Sequence, residues 1–339
     1  MSKNTNLEAI RPDEAKRLWL ETKVDEWSQA TEKVERFRVE LFIDWLAENE
    51  IADMRDVSAR TVHRFHLDVK DGIARTTLGR RIGTVRRFLA FCTSIDAVDS
   101  SVPERIEMPN HDDVARTEAL DESQAEAALS YLRKYAYASR EHALLALTWH
   151  TGIRSGTLVA LDVEDVEAEK HRLRIRHRPE SGTPLKNGVR AERYVAISPD
   201  ITELLEDYIS TNRSSVEAKK GDGDNRNPLF TTKHGRAPVK TLRRWFQTAT
   251  RPCLYGDCPH GRSPNDCEAA QKSSAAGDCP SSVSGHPVRR GAITRFLKDE
   301  SIPEKAISDR SNVSQDVMDK HYDVRTEGEK TEQRRDYFS

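Results

Sequence analysis

The segment His150–Leu161 reads HTGIRSGTLVAL, and the reading of the whole second half of the chain starts there. Gly152 permits a tight turn. Arg154 follows it at the start of an apolar-periodic helix. Alone, an arginine after such a turn is an ordinary surface or capping residue. It gains meaning from four segments further along. PLKNGVRAERYVAI (184–197) sets Lys186 in a turn between two strand-like runs, ahead of Arg193. GHPVRRG (285–291) sets His286 and Arg289 three apart at a helix start, so that they share a face. SDRSN (308–312) carries Arg310, and KHYDVRT (320–326) carries Tyr322.

The surroundings of these segments are mostly helical. Helices are expected near 122–135 and 140–151, with Asp121 as N-cap of the first. Strands are expected over Arg172–Arg178 and Arg193–Ile197. A helix near 200–210 carries Ile201, Leu204, Leu205 and Ile209. The flexible stretch KKGDGDNRNP (219–228) leads to Leu229–Thr232. A basic helix follows over about 239–250, and further helices near 287–299, 303–308 and 314–322. The first hundred residues read as all helical. Val34, Phe37, Leu41 and Trp45 recur at helical spacing. Ser58 is a plausible N-cap for a helix with Val62, Phe65 and Val69. In Thr76–Thr93, Leu78, Ile82, Val85 and Leu89 form one stripe, and Arg80, Arg81, Arg86 and Arg87 lie largely off it. Between the halves, a stretch with two prolines and no periodicity marks a boundary. The expected division is a helical domain over 1–105, a linker over 106–117 and a second domain over 118–339. The expected fold class is mainly α with a small antiparallel β-sheet in the second domain (α+β).

Composition narrows the function classes. The 339 residues include 54 Lys plus Arg against 56 Asp plus Glu, for a net charge of −2. Charged residues make up 32% and hydrophobic residues 36%, which excludes a polytopic membrane protein. The longest apolar run, Ala143–Trp149, is far short of the roughly 20 residues of a spanning helix. The opening MSKNTNLEAIRPDEAK has no apolar core of a signal peptide, so a cytoplasmic location and no membrane partner are expected. A balanced charge would argue against a nucleic-acid partner, but a sum does not say where the charges sit.

An arginine, a lysine in a β-turn, His-x-x-Arg and then a tyrosine within about 40 residues together resemble the tyrosine recombinase (phage integrase) family. The resemblance covers the second domain. The helical first domain is similar to that family's SAM-like core-binding domain, and SDRSNVSQDVMDKHYDVRT is similar to integrase-like recombinases of salt-loving archaea. The resemblance implies a site-specific DNA recombinase working on double-stranded DNA as a homo-oligomer, a tetramer in the synaptic complex. Tyr322 would be the nucleophile that forms a 3′-phosphotyrosyl link. Arg154 and Arg289 would clamp the phosphate oxygens on which negative charge gathers. Lys186 would protonate the leaving 5′ oxygen. His286 would accept the tyrosine proton or orient the phosphate. With the phosphate neutralised by side chains, no cofactor is expected for catalysis. Two rival readings share the chemistry or the fold: a type IB topoisomerase, and a non-catalytic DNA-binding regulator.

Two positions depart from the family pattern. Thr157 stands where an acid is usual, three residues after the first arginine. SDR replaces the usual LGH, which makes Arg310 the candidate for that place and His321 the alternative. In the light of the resemblance, Arg80, Arg81, Arg86 and Arg87, with Lys240, Arg243 and Arg244, become candidate DNA-backbone contacts. The tail 328–339 is either a protomer contact or a frayed terminus. A Cys-rich insertion at 253–285 is a separate feature. Cys253, Cys258, Cys267 and Cys279, with His260 nearby, suggest a structural Zn²⁺ site. Their spacing is not the tight double C-x-x-C of a strong zinc signature, and reduced or redox-sensitive thiols are the alternative. Cys92, alone at the apolar end of a helix, reads as a core residue.

Overall fold

The computed structural model describes residues 7–109, 118–214, 226–323, 325–328, 331–332 and 335. Most of the expected linker (from residue 110 on), of the stretch 219–228 and of the tail 328–339 lies outside the described residues. The chain divides into two compact units between residues 114 and 115.

The first unit is built of α1 (Pro12–Glu21), α2 (Gln29–Glu48), α3 (Ala59–Val69), α4 (Arg75–Ser94) and the single turn α5 (Ser101–Glu104). Ser58 starts α3 as expected, in a capping box with Thr61. Trp19, Phe42, Phe65 and Phe88 fill the core, with Trp19 edge-on to Phe88 at 5.6 Å. Cys92 is fully buried among them, and burial pushes its thiol up to about 12.

The apolar stripe expected on α2 is not the one that packs. Val34 is 43% exposed and Phe37 60% exposed, while Glu35, Val39, Phe42, Ile43, Trp45 and Leu46 are buried. The buried face is rotated because Glu35 finds partners inside. Thr84 donates to its carboxylate at 2.9 Å and Arg87 at 2.6 Å. A buried carboxylate is tolerated when paired and hydrogen-bonded, and periodicity counted on apolar letters alone misses it. Arg80 and Arg86 are exposed, Arg81 is half-buried, and Arg87 keeps 56% of its side chain exposed beside Glu35.

The second unit opens with α6 (Glu122–Tyr135), α7 (Arg140–Thr151) and α8 (Ser155–Ala160). Asp121 caps α6 by accepting from the Ser123 amide at 2.9 Å. A three-stranded antiparallel sheet follows, β1 (Val166–Glu167), β2 (Arg172–Ile175) and β3 (Arg193–Ala196), in that order, with Leu173 opposite Val195. Next come α9 (Pro199–Asp207), the hairpin β4 (Thr231–Thr232) and β5 (Gly235–Arg236), and α10 (Val239–Ala249). The chain continues with α11 (Glu268–Gln271), α12 (Gly285–Lys298), α13 (Glu304–Ser311) and α14 (Gln315–His321). The mainly helical class with small antiparallel sheets is as expected. β2 ends three residues earlier than expected, because Arg176 and Arg178 turn to the buried Asp165, at 2.6 and 2.8 Å.

α7 is the hub. Residues Ala143–Trp149 are all buried, with α10 and α12 packed against the helix. A helix apolar on every side belongs in a core, which explains the run that a membrane scan would notice first. No helix among the described residues is long and apolar enough to cross a membrane.

Candidate active site

Three chain segments converge at the C-terminal end of α7. Gly152 terminates that helix at φ +64°, a left-handed conformation that suits glycine. The turn delivers Arg154 as the N-cap residue of α8. Its guanidinium donates from Nη1 to the Asn312 carbonyl at 2.7 Å, which anchors it to the turn between α13 and α14.

Arg289 comes from the first turns of α12 and is 1% exposed. Its fork is spread over three acceptors. Nε donates to the Tyr322 hydroxyl at 3.3 Å, Nη2 to the Ser311 carbonyl at 2.9 Å, and Nη1 to the Gly152 carbonyl. Burial lowers its pKa to about 10, with Tyr322 opposing the fall and Arg154 adding to it. At neutral pH it remains a cation. Tyr322 caps α14, is 4% exposed, and is tied to α12 where the Thr294 hydroxyl donates to its backbone carbonyl at 2.9 Å.

A close approach of backbones sets this geometry. A Cβ added at Gly285 would lie 2.5 Å from Ser155 Oγ and 2.6 Å from the Phe246 ring. Only a glycine lets the start of α12 sit against the start of α8, and thus His286 and Arg289 near Arg154. His286 is exposed, its ring 6.1 Å from that of Tyr322. Its pKa is lowered to about 4, by partial desolvation and then by Arg290, Arg289, Arg154 and Lys186. Lys186 thus bears on the same place as the arginines. It is exposed on the β2–β3 connection, which is pinned where the Leu185 amide donates to His177 Nδ1 at 2.9 Å.

The structure therefore gathers Arg154, His286, Arg289 and Tyr322, with Lys186 near enough for its charge to help lower the His286 pKa. It also adds Arg193, which sequence reasoning passed over as a strand residue. Arg193 Nε donates to the Arg310 carbonyl at 3.0 Å and Nη1 to the Ala191 carbonyl at 2.8 Å. Burial, then Arg289, Arg154 and Arg310, lower its pKa to about 10. Its place at the start of β3, directly after the Lys186 turn, was the only sequence signal.

Arg310 sits differently from the other arginines. It donates to the carbonyls of Ala196 and His150, both at 2.8 Å, and lines a cavity of about 750 Å³ with His150, Arg295 and Phe296. His321 ends α14 and is half-buried. Thr157 is buried within α8 at 8% exposure, where a carboxylate would need partners.

Of the other candidates, Lys240, Arg243 and Arg244 are exposed on α10, whose opposite face buries Leu242, Trp245 and Phe246. The four clustered cysteines are free thiols and line one small cavity together with His260. Among the described residues, no three His, Cys, Asp or Glu side chains stand at metal-holding distance.

This geometry is a pocket of cations around a buried tyrosine hydroxyl, on a helical unit with a small sheet. Residues 118–253 match the phage integrase family. Over that segment the chain is similar to the family. The matched segment holds Arg154 and Lys186, and His286, Arg289 and Tyr322 follow it. Two similar proteins are tyrosine recombinases XerC. That of Roseiflexus castenholzii is 28% identical over 218 residues, covering 62% of this chain and 65% of that one. That of Roseiflexus sp. strain RS-1 is 30% identical over 198 residues, covering 57% and 59%. The match thus spans somewhat under two thirds of either relative. Among solved structures, the Tn1549 transposon integrase in complex with circular intermediate DNA superposes with a TM-score of 0.68 at 15% identity, over 96% of this chain and 99% of that one. A lambda integrase dimer bound to a core site gives 0.63 at 12% identity, over 93% and 77%. At such identities these likenesses establish the integrase fold.

Proposed function

We propose that this protein is a site-specific DNA recombinase that cuts and rejoins double-stranded DNA through Tyr322. The observation that carries the proposal is the Tyr322 hydroxyl held on the Arg289 guanidinium beside Arg154, with Lys186 and His286 bearing on the same point. A phosphodiester entering there meets fixed positive charge where its transition state accumulates negative charge. Tyr322 Oη attacks phosphorus, the bond to the 5′ oxygen breaks, and a 3′-phosphotyrosyl link forms. His286 takes the tyrosine proton, and the lowered pKa keeps its ring neutral and able to accept. Lys186 returns a proton to the departing 5′ oxygen. Rejoining reverses these steps, with a 5′ hydroxyl of the partner strand as nucleophile. The covalent link conserves the bond, so neither ATP nor a cofactor enters the balance.

Arg154, Arg193 and Arg289 are the phosphate-binding set of this proposal. Arg310 acts through the backbone it anchors. Arg80, Arg81, Arg86 and Arg87 on α4, with Lys240, Arg243 and Arg244 on α10, contact DNA phosphates. Strand exchange joins two duplexes, so the working assembly is a tetramer on DNA. Because Tyr322 and Arg289 are almost fully covered, the α14 segment yields as the scissile phosphate arrives.

A duplex carrying the recombination site and a nick next to the scissile phosphate tests the proposal. Loss of the short fragment traps a covalent protein–DNA adduct with the wild type, and Tyr322→Phe gives none. An adduct that persists in Tyr322→Phe, or none with the wild type, overturns it. Relaxation of plasmids that lack paired sites would assign the topoisomerase reading instead.

A further inference from the structure

The segment between α10 and α12 is an excursion whose two ends are tied. The Val283 amide donates to Thr250 Oγ1 at 2.9 Å, and Thr250 Oγ1 donates back to the Val283 carbonyl at 3.3 Å. Between residues 254 and 282 the buried apolar side chains are Ala269 and Ala276. These two alanines, with Leu254 and Tyr255 packed half-buried against the core at the segment's start, remove too little apolar surface from water to hold some thirty residues in place. α11 and the short 3₁₀ turns around it leave the rest of the segment irregular. Ordered structure of this size without an apolar core depends on a staple.

The four cysteines border one cavity of the excursion, although no three of their thiols stand at metal-holding distance, so an ion would have to draw them together. Cys253, Cys258, Cys267 and Cys279 line one cavity of about 10 Å³. That is the room of roughly one water-sized sphere, enough for a single small ion. A second observation concerns charge. Arg251 lines the same cavity, is 8% exposed, and its Nε has no hydrogen-bond partner among the described atoms. A buried guanidinium is costly unless an anion compensates it. Four thiolates around one divalent ion carry a net double negative charge, and such a site would supply that anion. The free N–H would then serve as donor to a ligating sulfur.

We propose that Cys253, Cys258, Cys267 and Cys279 bind one Zn²⁺ tetrahedrally, with Arg251 as the countercharge, and that this ion staples the excursion leading into α12. The ligands draw in to about 2.3 Å from the metal, and each releases its proton to solvent on binding. His260 stands outside the ligand set, since its Nε2 is paired with the Ser281 hydroxyl at 3.0 Å. The inference is independent of the recombinase reading and concerns only the stability of this segment.

The test uses the full chain purified under reducing conditions. One zinc per chain is expected by elemental analysis. Exchange for Co²⁺ is expected to give the visible bands of tetrahedral cobalt and thiolate-to-metal charge transfer. Cys267→Ser is expected to lose the metal and His260→Ala to retain it. Should Cys267→Ser not fold, thiol titration of the wild type decides. Four thiols slow to react until a chelator is added support the site. Absence of zinc together with no Co²⁺ bands overturns it, as does mass-spectrometric detection of disulfides among these four cysteines.

Discussion

Arg289 Nε and the Tyr322 hydroxyl are joined at 3.3 Å, thirty-three residues apart in sequence. The bond links the first turns of α12 to the end of α14, with the Arg154 and Arg290 charges bearing on the same hydroxyl. A lysine at 289 would keep the charge but not the three-way fork to Tyr322, Ser311 and Gly152. Arg289→Lys is expected to lower the single-turnover cleavage rate by about 10²–10³, the range for loss of a preorganised donor. Binding to the same DNA, followed by gel shift, should change far less.

Lys186 is predicted to act on the leaving group. Lys186→Ala is expected to slow cleavage of normal DNA by about 10²–10⁴, the range for general acid catalysis. A substrate with sulfur in place of the bridging 5′ oxygen needs no proton to depart. It should be cleaved by Lys186→Ala and wild type at similar rates. A sulfur substrate that fails to rescue the variant would remove Lys186 from this role.

Three histidines give the unit an acid limit. His142 and His150, by burial and then nearby arginines, and His286, by desolvation and its cations, have pKa values lowered to about 4 from 6.5. The unfolded chain takes up these protons below about pH 6.5 and the folded chain does not, so stability rises with pH in that window. The melting temperature should fall steadily from pH 6.5 towards pH 4. His142→Gln is expected to flatten part of the slope. A bound phosphate offsets the cations around His286, so DNA should shift that histidine's NMR titration upward.

Gly285→Ala inserts a methyl group 2.5 Å from Ser155 Oγ and 2.6 Å from Phe246. Overpacking of this kind costs about 1–3 kcal/mol, and relief requires moving α12 off α8. Cleavage is expected to fall at least tenfold, by analogy with small misplacements of reacting groups. Thermal denaturation and single-turnover kinetics check the two parts separately.

Arg193→Ala is predicted to slow cleavage by about 10–100-fold, a share of the electrostatic contribution of one donor. The Arg310 carbonyl loses its partner as well, so Arg193→Lys should recover part of the charge and little of the geometry.

Much of the candidate site was legible because its residues come in short, chemically odd words. TGIR, the lysine turn, HPVRR and KHY each place a charged or nucleophilic side chain where apolar packing would be expected. Arg193 escaped notice because it looks like any edge-strand arginine, and only the fold brings it to Arg154 and Arg289. Arg310 was picked by position in a motif, yet its direction depends on two backbone carbonyls that no sequence pattern encodes. The α2 stripe failed for a related reason. Glu35 is buried through Thr84 and Arg87, and such pairing across helices cannot be seen along one.

α10 turns its two faces to different tasks. Lys240, Arg243 and Arg244 look outward, while the ring of Phe246 rests where Gly285 begins α12. Under the proposed function, a duplex seated on the outer face would press, through Phe246, on the start of the helix that holds Arg289. The rate of the cut would then depend on how firmly the duplex is seated, and a half-engaged duplex would be slow to be broken.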